Sequence, residues 1–185
     1  MELHEKVMII AKIAKEQPNI GKTAMMKCLY LLQTIEKVPL DYSFEIYSYG
    51  PYSSDVMSEI DYASQNGYID VSSIIYPTGQ YGYNITCGAK GETPPFEAES
   101  MVVEYQTQID NIVHTFAGKT AKELELLSTI IYTACMYKKN DWNMSQTEIC
   151  ESVKEIKPQF PLDEIEEKYN FLLDNHHLDK ALQMH

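Results

Sequence analysis

Tyrosine is the side chain through which this chain could most readily make chemical contacts. Tyrosines cluster in two short stretches, and the strongest candidates for a partner-contact surface lie in or beside them: Tyr47, Tyr49, Tyr52, Ser53, Tyr76, Gln80 and Tyr81. A tyrosine ring is large and rigid, so it anchors protein interfaces at low entropic cost. The alternative is half-buried packing within strands, which is the commoner role for any single tyrosine.

The chain carries no complete catalytic constellation. Gly21-Lys22-Thr23 resembles the end of a phosphate-binding loop, but the first glycine and the preceding strand of that motif are missing. The GxSxG, HExxH and paired-carboxylate patterns are also absent. The sequence therefore predicts a protein that is not an enzyme and needs no cofactor.

Metal binding is not expected either. His176 and His177 are adjacent, and adjacent histidines on a helix point about 100° apart, so they do not chelate together easily. With His185 as the next histidine, a solvated tail is favoured over a site. The four cysteines form no CxxC pair and are expected to be reduced thiols.

Charge separates the remaining functions. The formal net charge is −12, and all 15 basic residues are lysine. Arginine supplies the bidentate fork that reads guanine and grips phosphate, so its absence disfavours a specific DNA reader. Lys22 and Lys27 could still contact an anion, although the stem of Lys27 could instead lie over the core.

The elements that position these residues follow from apolar periodicity. Helical spacing predicts helices over 2–17 and 22–37, and period-two alternation predicts a strand over 42–49. Gly50-Pro51 is predicted to be a turn, followed by a third helix from Ser53 or Ser54 to Gly67. The β-rich runs 68–76 and 81–87 then form a hairpin. This order is that of a winged helix.

The second half of the chain is predicted to be helical. Residues 88–95 read as a linker, and the predicted helices cover 96–117, 120–137, 145–156, 163–175 and a last turn over 178–184. The fold class is therefore mainly α with a small β-hairpin or three-strand sheet. We expect a winged-helix-like domain over 1–90 and a helical domain over 96–185, with a homodimer built on the apolar faces of the 96–137 helices.

Two stretches carry a resemblance to a known family. The helix 22–32 and the segment 44–53, which contains Tyr49-Gly50-Pro51-Tyr52, resemble the YwgA-like proteins of bacteria and archaea and, more distantly, the Panacea-type antitoxin domains. The resemblance covers about residues 5–90. It implies a winged-helix scaffold used for regulation or protein neutralisation rather than catalysis.

Two functions remain open. The first is a cytoplasmic protein that acts through protein–protein contacts, with no membrane segment. The alternative is a DNA-binding regulator, which predicts a cluster of lysines brought together in space, for example Lys22, Lys27 and Lys90. Against it, the predicted third helix carries Asp55, Glu59 and Asp61 and no basic residue.

Overall fold

The computed structural model describes residues 1–75, 79, 81–93, 103–142 and 145–183. Its first half contains α1 (Leu3–Glu16), α2 (Lys22–Thr34), β1 (Glu45–Tyr47), β2 (Gly50–Tyr52), α3 (Ser54–Gln65), β3 (Ile69–Ile75), β4 (Tyr81–Cys87) and α4 (Ala89–Glu92). Its second half contains α5 (Gln106–Ile112), a π-helical turn (Val113–Ala117), α6 (Ala121–Lys139), α7 (Gln146–Ile156), α8 (Leu162–Asp174) and α9 (His177–Leu182). The predicted class, mainly α with small β elements, is confirmed.

The strands form two separate antiparallel pairs, β1 with β2 and β3 with β4. One further bridge, Ile20 to Ile85, attaches the β3–β4 hairpin to the loop before α2. Among the described residues there is thus no three-strand sheet, because the segment 42–49 pairs with the residues that follow it.

The first hairpin corrects the predicted turn at Gly50-Pro51. Tyr47 pairs with Gly50 across the ladder, so Ser48-Tyr49 forms the turn, and Gly50 and Pro51 belong to the returning strand. Gly50 has φ +89°, a backbone conformation that glycine adopts without the penalty other residues meet. The strand predicted over 42–49 is accordingly limited to Glu45–Tyr47.

The helix boundaries follow the sequence signals closely. The Thr120 hydroxyl accepts a bond from the Glu123 amide and the Glu123 carboxylate returns to Thr120, which is the predicted capping box of α6. Gly67 follows α3 with φ +76°, as a left-handed helix stop requires. The predicted linker differs, since Ala89–Glu92 forms a helical turn. Part of the predicted 96–117 helix lies outside the described residues.

Both halves contribute to one hydrophobic core. α2 packs on α6, and the buried cluster joins residues such as Leu29 and Leu32 to Leu124, Leu127 and Ile131. The predicted division between 1–90 and 96–185 is therefore not a division of the core. The apolar face of α6 that motivated a dimer is covered within the chain itself. No described helix has the length and apolar character needed to cross a membrane.

Candidate functional site

The β1–β2 hairpin presents three tyrosines to solvent. Tyr47, Tyr49 and Tyr52 are 59%, 69% and 37% exposed, respectively. The rings of Tyr47 and Tyr52 lie 5.3 Å apart, centre to centre, at an angle of 47°. Glu45 pairs with Tyr52 across the ladder and is also exposed, so a carboxylate borders the two rings. We call residues 45–52 the tyrosine hairpin.

A buried lysine holds the tyrosine hairpin from the side of α2. The Lys27 side chain is only 2% exposed, and its Nζ donates to the carbonyl oxygen of Pro51 at 2.6 Å. A Cβ at Gly50 would lie 3.3 Å from Lys27 Cε and 3.1 Å from Ser128 Oγ. The returning strand therefore fits closely between α2 and α6.

A second buried lysine holds the turn from the other half of the chain. Lys157, 2% exposed, donates from Nζ to the carbonyl oxygens of Tyr47, at 3.0 Å, and Ser48. The same Nζ lies 2.9 Å from Glu125 Oε1, which also accepts a bond from Gln159 Nε2 at 3.0 Å. We call Lys27, Glu125 and Lys157 the lysine–glutamate hub.

The electrostatics of the hub are set by its burial. Desolvation lowers the pKa of Lys27 to about 8; Glu125 opposes that shift and Lys157 adds to it. The buried Glu125 carboxylate pairs directly with Lys157 and acts on Lys27 only as a nearby charge, while backbone carbonyl oxygens accept hydrogen bonds from both ammonium groups. The hub fixes the backbone of the tyrosine hairpin, so the rings are presented by a preorganised turn rather than a free loop.

Sequence reasoning found Lys27 but missed Glu125, Ser128 and Lys157. A signal existed for Glu125, because this charged residue stands inside the run Leu124 to Leu127, whose other members line the core. A charge within a buried helical face requires a partner. The identity of that partner depends on tertiary contact, since Lys157 lies 32 residues further along.

The remaining predicted contact residues do not all join the tyrosine hairpin. Tyr81 lies at the far end of β4 opposite Ile75 and is 79% exposed, so it belongs to a second surface. Ser53 is buried at 3% exposure, and its hydroxyl has no partner among the described residues. Ser53 is therefore not available for direct contact. Tyr76 and Gln80 lie outside the described residues.

The lysines proposed for anion binding are occupied within the chain. Lys22 Nζ pairs with Asp61 at 3.0 Å and lies 4.8 Å from the centre of the Tyr83 ring. Lys27 is buried on Pro51, and Lys90 lies 5.6 Å from the Tyr68 ring. Lys22 and Lys27 are thus bound to different groups of the chain, and Lys90 is exposed beside a third. This arrangement does not favour the anion contact or the lysine cluster that DNA binding would require.

Helix α3 is less acidic at its surface than the sequence suggested. Glu59 is buried, accepts a hydrogen bond from the Tyr42 hydroxyl, and has Lys6 Nζ at 3.5 Å. Of the three acidic residues that this helix carries, Glu59 therefore adds no charge to its outer face. Asp55 and Asp61 are exposed, and Asp61 is paired with Lys22.

The groups that could suggest catalysis or metal binding are engaged in packing. Within the described part of the chain, no three His, Cys, Asp or Glu side chains converge as metal ligands. The His177 ring packs on Phe116, with centres 5.1 Å apart, and burial lowers its pKa. A cleft of about 500 Å³ at the end of α2 contains Lys37 and Asp41. Lys37 donates to the Ala181 carbonyl and Asp41 binds the N-terminal ammonium.

Comparison with known proteins adds no assignment to this geometry. No protein-family model matches the chain, and no curated protein matches it either.

Proposed function

We propose that this protein is a non-enzymatic binding module that docks a partner protein through the tyrosine hairpin. The observation that carries the proposal is the combination of three exposed tyrosines with a buried hub that fixes the backbone beneath them. The winged-helix character and a regulatory or neutralising role in the cytoplasm belong to the same proposal, and the sequence resemblance supports them.

Energetics support a functional role for the hairpin. Two strands of three residues are marginal on their own, so the hairpin depends on its supports. Those supports place two ammonium groups and a carboxylate away from water, which costs free energy that an apolar core would not. In exchange for this cost, the hub holds the turn rigid and keeps the tyrosine rings exposed. Such rings make strong contacts only when a partner covers them.

DNA binding is the less favoured function. Duplex DNA requires a surface of free cations, because phosphate neutralisation provides most of the affinity. Lys22 is paired with Asp61, Lys27 is buried, and the chain contains no arginine. An electrophoretic mobility assay at low salt with random-sequence duplex is expected to show no retardation.

The proposal is tested by site-specific crosslinking followed by affinity measurement. A photoreactive phenylalanine at position 49 identifies the partner in an extract of the source cells. The purified pair is then compared by calorimetry for the wild type and the Tyr47→Ala/Tyr49→Ala/Tyr52→Ala variant. We expect the triple variant to bind about 100-fold more weakly, a loss of about 3 kcal/mol, since each of the three tyrosine anchors contributes about 1 kcal/mol.

The matched control removes two exposed tyrosines elsewhere. Tyr62 on α3 and Tyr81 on β4 are 42% and 79% exposed, and neither lies on the tyrosine hairpin. The Tyr62→Ala/Tyr81→Ala variant should retain wild-type affinity. A loss in this control, with the hairpin variant unaffected, would move the site to the β3–β4 side and refute the proposal.

A further inference from the structure

We infer that the partner of the tyrosine hairpin presents a basic segment, with arginine or lysine side chains placed over the tyrosine rings. This inference rests on the proposed function and specifies the charge of what the hairpin binds. It is carried by the direction in which the nearby lysines point and by the carboxylates that remain at the surface.

Three lysines near the hairpin donate hydrogen bonds to acceptors within the chain. Lys27 and Lys157 donate to the hairpin's own carbonyl oxygens, as described above. Lys154, in the last turn of α7, donates to the carbonyl oxygens of Pro158 at 2.9 Å and Phe160 at 2.8 Å. Lys27 and Lys157 are buried and Lys154 is half-buried, so all three ammonium groups bind internal acceptors, although only Lys157 is neutralised by a carboxylate, that of Glu125.

Three acidic residues in or near the hairpin are exposed to solvent. Glu45 lies opposite Tyr52, Asp55 stands in the first turn of α3 three residues after Tyr52, and Glu155 lies two residues before Lys157. All three are exposed, and none forms an ion pair with any described residue. Glu45 thus places an unpaired carboxylate beside the two rings, and Asp55 and Glu155 add unpaired charge on the segments that follow and support the hairpin.

Aromatic rings bordered by carboxylates are suited to guanidinium and ammonium groups. A cation over a tyrosine face is attracted by the ring quadrupole, and a carboxylate at the rim adds a charge-assisted hydrogen bond. The partner must supply the cations, because this chain has no arginine and a net charge of −12. A second copy is disfavoured for the same reason, and a nucleic acid would bring more negative charge to the same rim.

The test uses the full-length chain and a display library of random 12-residue peptides. Peptides are selected on the immobilised wild type and counter-selected on the Tyr47→Ala/Tyr49→Ala/Tyr52→Ala variant, so that only hairpin-dependent binders remain. We expect these binders to be enriched in arginine and lysine. Their dissociation constants should rise about tenfold between 50 and 300 mM salt, since screening weakens exposed charge pairs.

Charge removal provides the second arm. The Glu45→Gln/Asp55→Asn/Glu155→Gln variant keeps the tyrosines and should bind the selected peptides about tenfold more weakly. The matched control, Asp70→Asn/Glu166→Gln/Asp174→Asn, removes three exposed carboxylates that lie away from the hairpin and form no ion pair with described residues. It should bind as the wild type does. Circular dichroism confirms that both variants are folded.

The outcomes separate the two proposals. Hairpin-dependent peptides that are neutral or acidic would overturn the basic-partner inference and leave the proposed function standing. Equal binding by the Glu45→Gln/Asp55→Asn/Glu155→Gln variant and by its matched control would also overturn the basic-partner inference. A library that yields no hairpin-dependent peptide would count against the tyrosine hairpin as a docking site altogether.

Discussion

At the scale of single residues, the tyrosine hairpin depends on one backbone position. Gly50 combines a positive φ with near contact on three sides: Ser128 Oγ, Glu125 O and Lys27 Cε would lie 3.1 to 3.3 Å from an added Cβ. Sterics and backbone conformation therefore select glycine independently at the same place. The close packing of the hairpin against α2 and α6 therefore depends on glycine at this position.

Replacing this glycine separates the two requirements. Gly50→Ala should lower the free energy of unfolding by about 2–4 kcal/mol, because alanine is strained at positive φ and its methyl group crowds the hub. Gly67→Ala is the control, since Gly67 has φ +76° but nothing within 4 Å of an added Cβ. It should cost only the backbone part, about 1–2 kcal/mol. Urea titrations of the two variants measure the difference, and equal losses would show that the crowding is unimportant.

The buried ammonium of Lys27 gives the hub a signature in its pH dependence. Its pKa is lowered to about 8 in the folded chain, from 10.5 in the unfolded chain, mainly by desolvation. Between these values the unfolded chain binds more protons, so this residue makes the folded state more stable as the pH rises. Below about pH 8 the cost of burying its charge is fully present.

The measurement compares two lysine-to-methionine variants from pH 7 to 10. The free energy of unfolding of the wild type, minus that of Lys27→Met, should increase across this range. The same difference taken with Lys90→Met should change little, because Lys90 is exposed. Taking differences removes the titration of the groups that do not interact with Lys27. A flat profile for Lys27→Met would show that its ammonium is not desolvated.

At the scale of elements, Thr120 and Ser53 occupy the N-cap positions of α6 and α3, but only one of the two hydroxyl groups makes a capping bond. Thr120 caps α6 by accepting a bond from the Glu123 amide. Ser53 occupies the same position before α3, but its side chain makes no capping bond and its hydroxyl is buried without a partner among described residues. One hydroxyl therefore stabilises its helix, and the other carries an unmet hydrogen-bonding demand.

Alanine substitutions should separate these two caps. Thr120→Ala should lower the free energy of unfolding by about 1 kcal/mol, the usual cost of losing an N-cap. Ser53→Ala should be neutral or slightly stabilising, because it removes a buried polar group that pays for its desolvation without a bond. Thermal melts of both variants check the contrast. A loss of about 1 kcal/mol in Ser53→Ala would mean that its hydroxyl does cap α3.

Comparing the predicted with the observed fold shows which features local sequence signals could predict. The capping pair Thr120 and Glu123, the stop at Gly67 and the helix periodicity are short-range features, so the sequence predicted them correctly. The turn was misplaced by two residues, because Gly50-Pro51 is a frequent turn pair and its role in a returning strand is set by contact with α6. The hub joins positions 27, 125 and 157, and no local pattern encodes that convergence.

At the scale of the whole molecule, the two halves depend on each other. α2 packs on α6 within one buried cluster, and the hub ties the tyrosine hairpin to α6 and to the end of α7. A hairpin supported from both halves can remain ordered only while both are folded. The contact surface is therefore a property of the complete core rather than of residues 1–90.

Two buried cysteines can report whether the chain unfolds as one unit. Cys28 lies in α2 and Cys150 in α7, and both are 0–1% exposed, so neither thiol reacts until its own half opens. A pulse of alkylating reagent at increasing urea, followed by mass spectrometry of the peptides, gives a midpoint for each half. Because one core serves both halves, we expect the two midpoints to coincide.

Leu127→Ala on α6, which should cost about 2–5 kcal/mol, ought then to lower both midpoints equally. Separate midpoints, or a shift confined to Cys150, would instead reveal two independently stable domains.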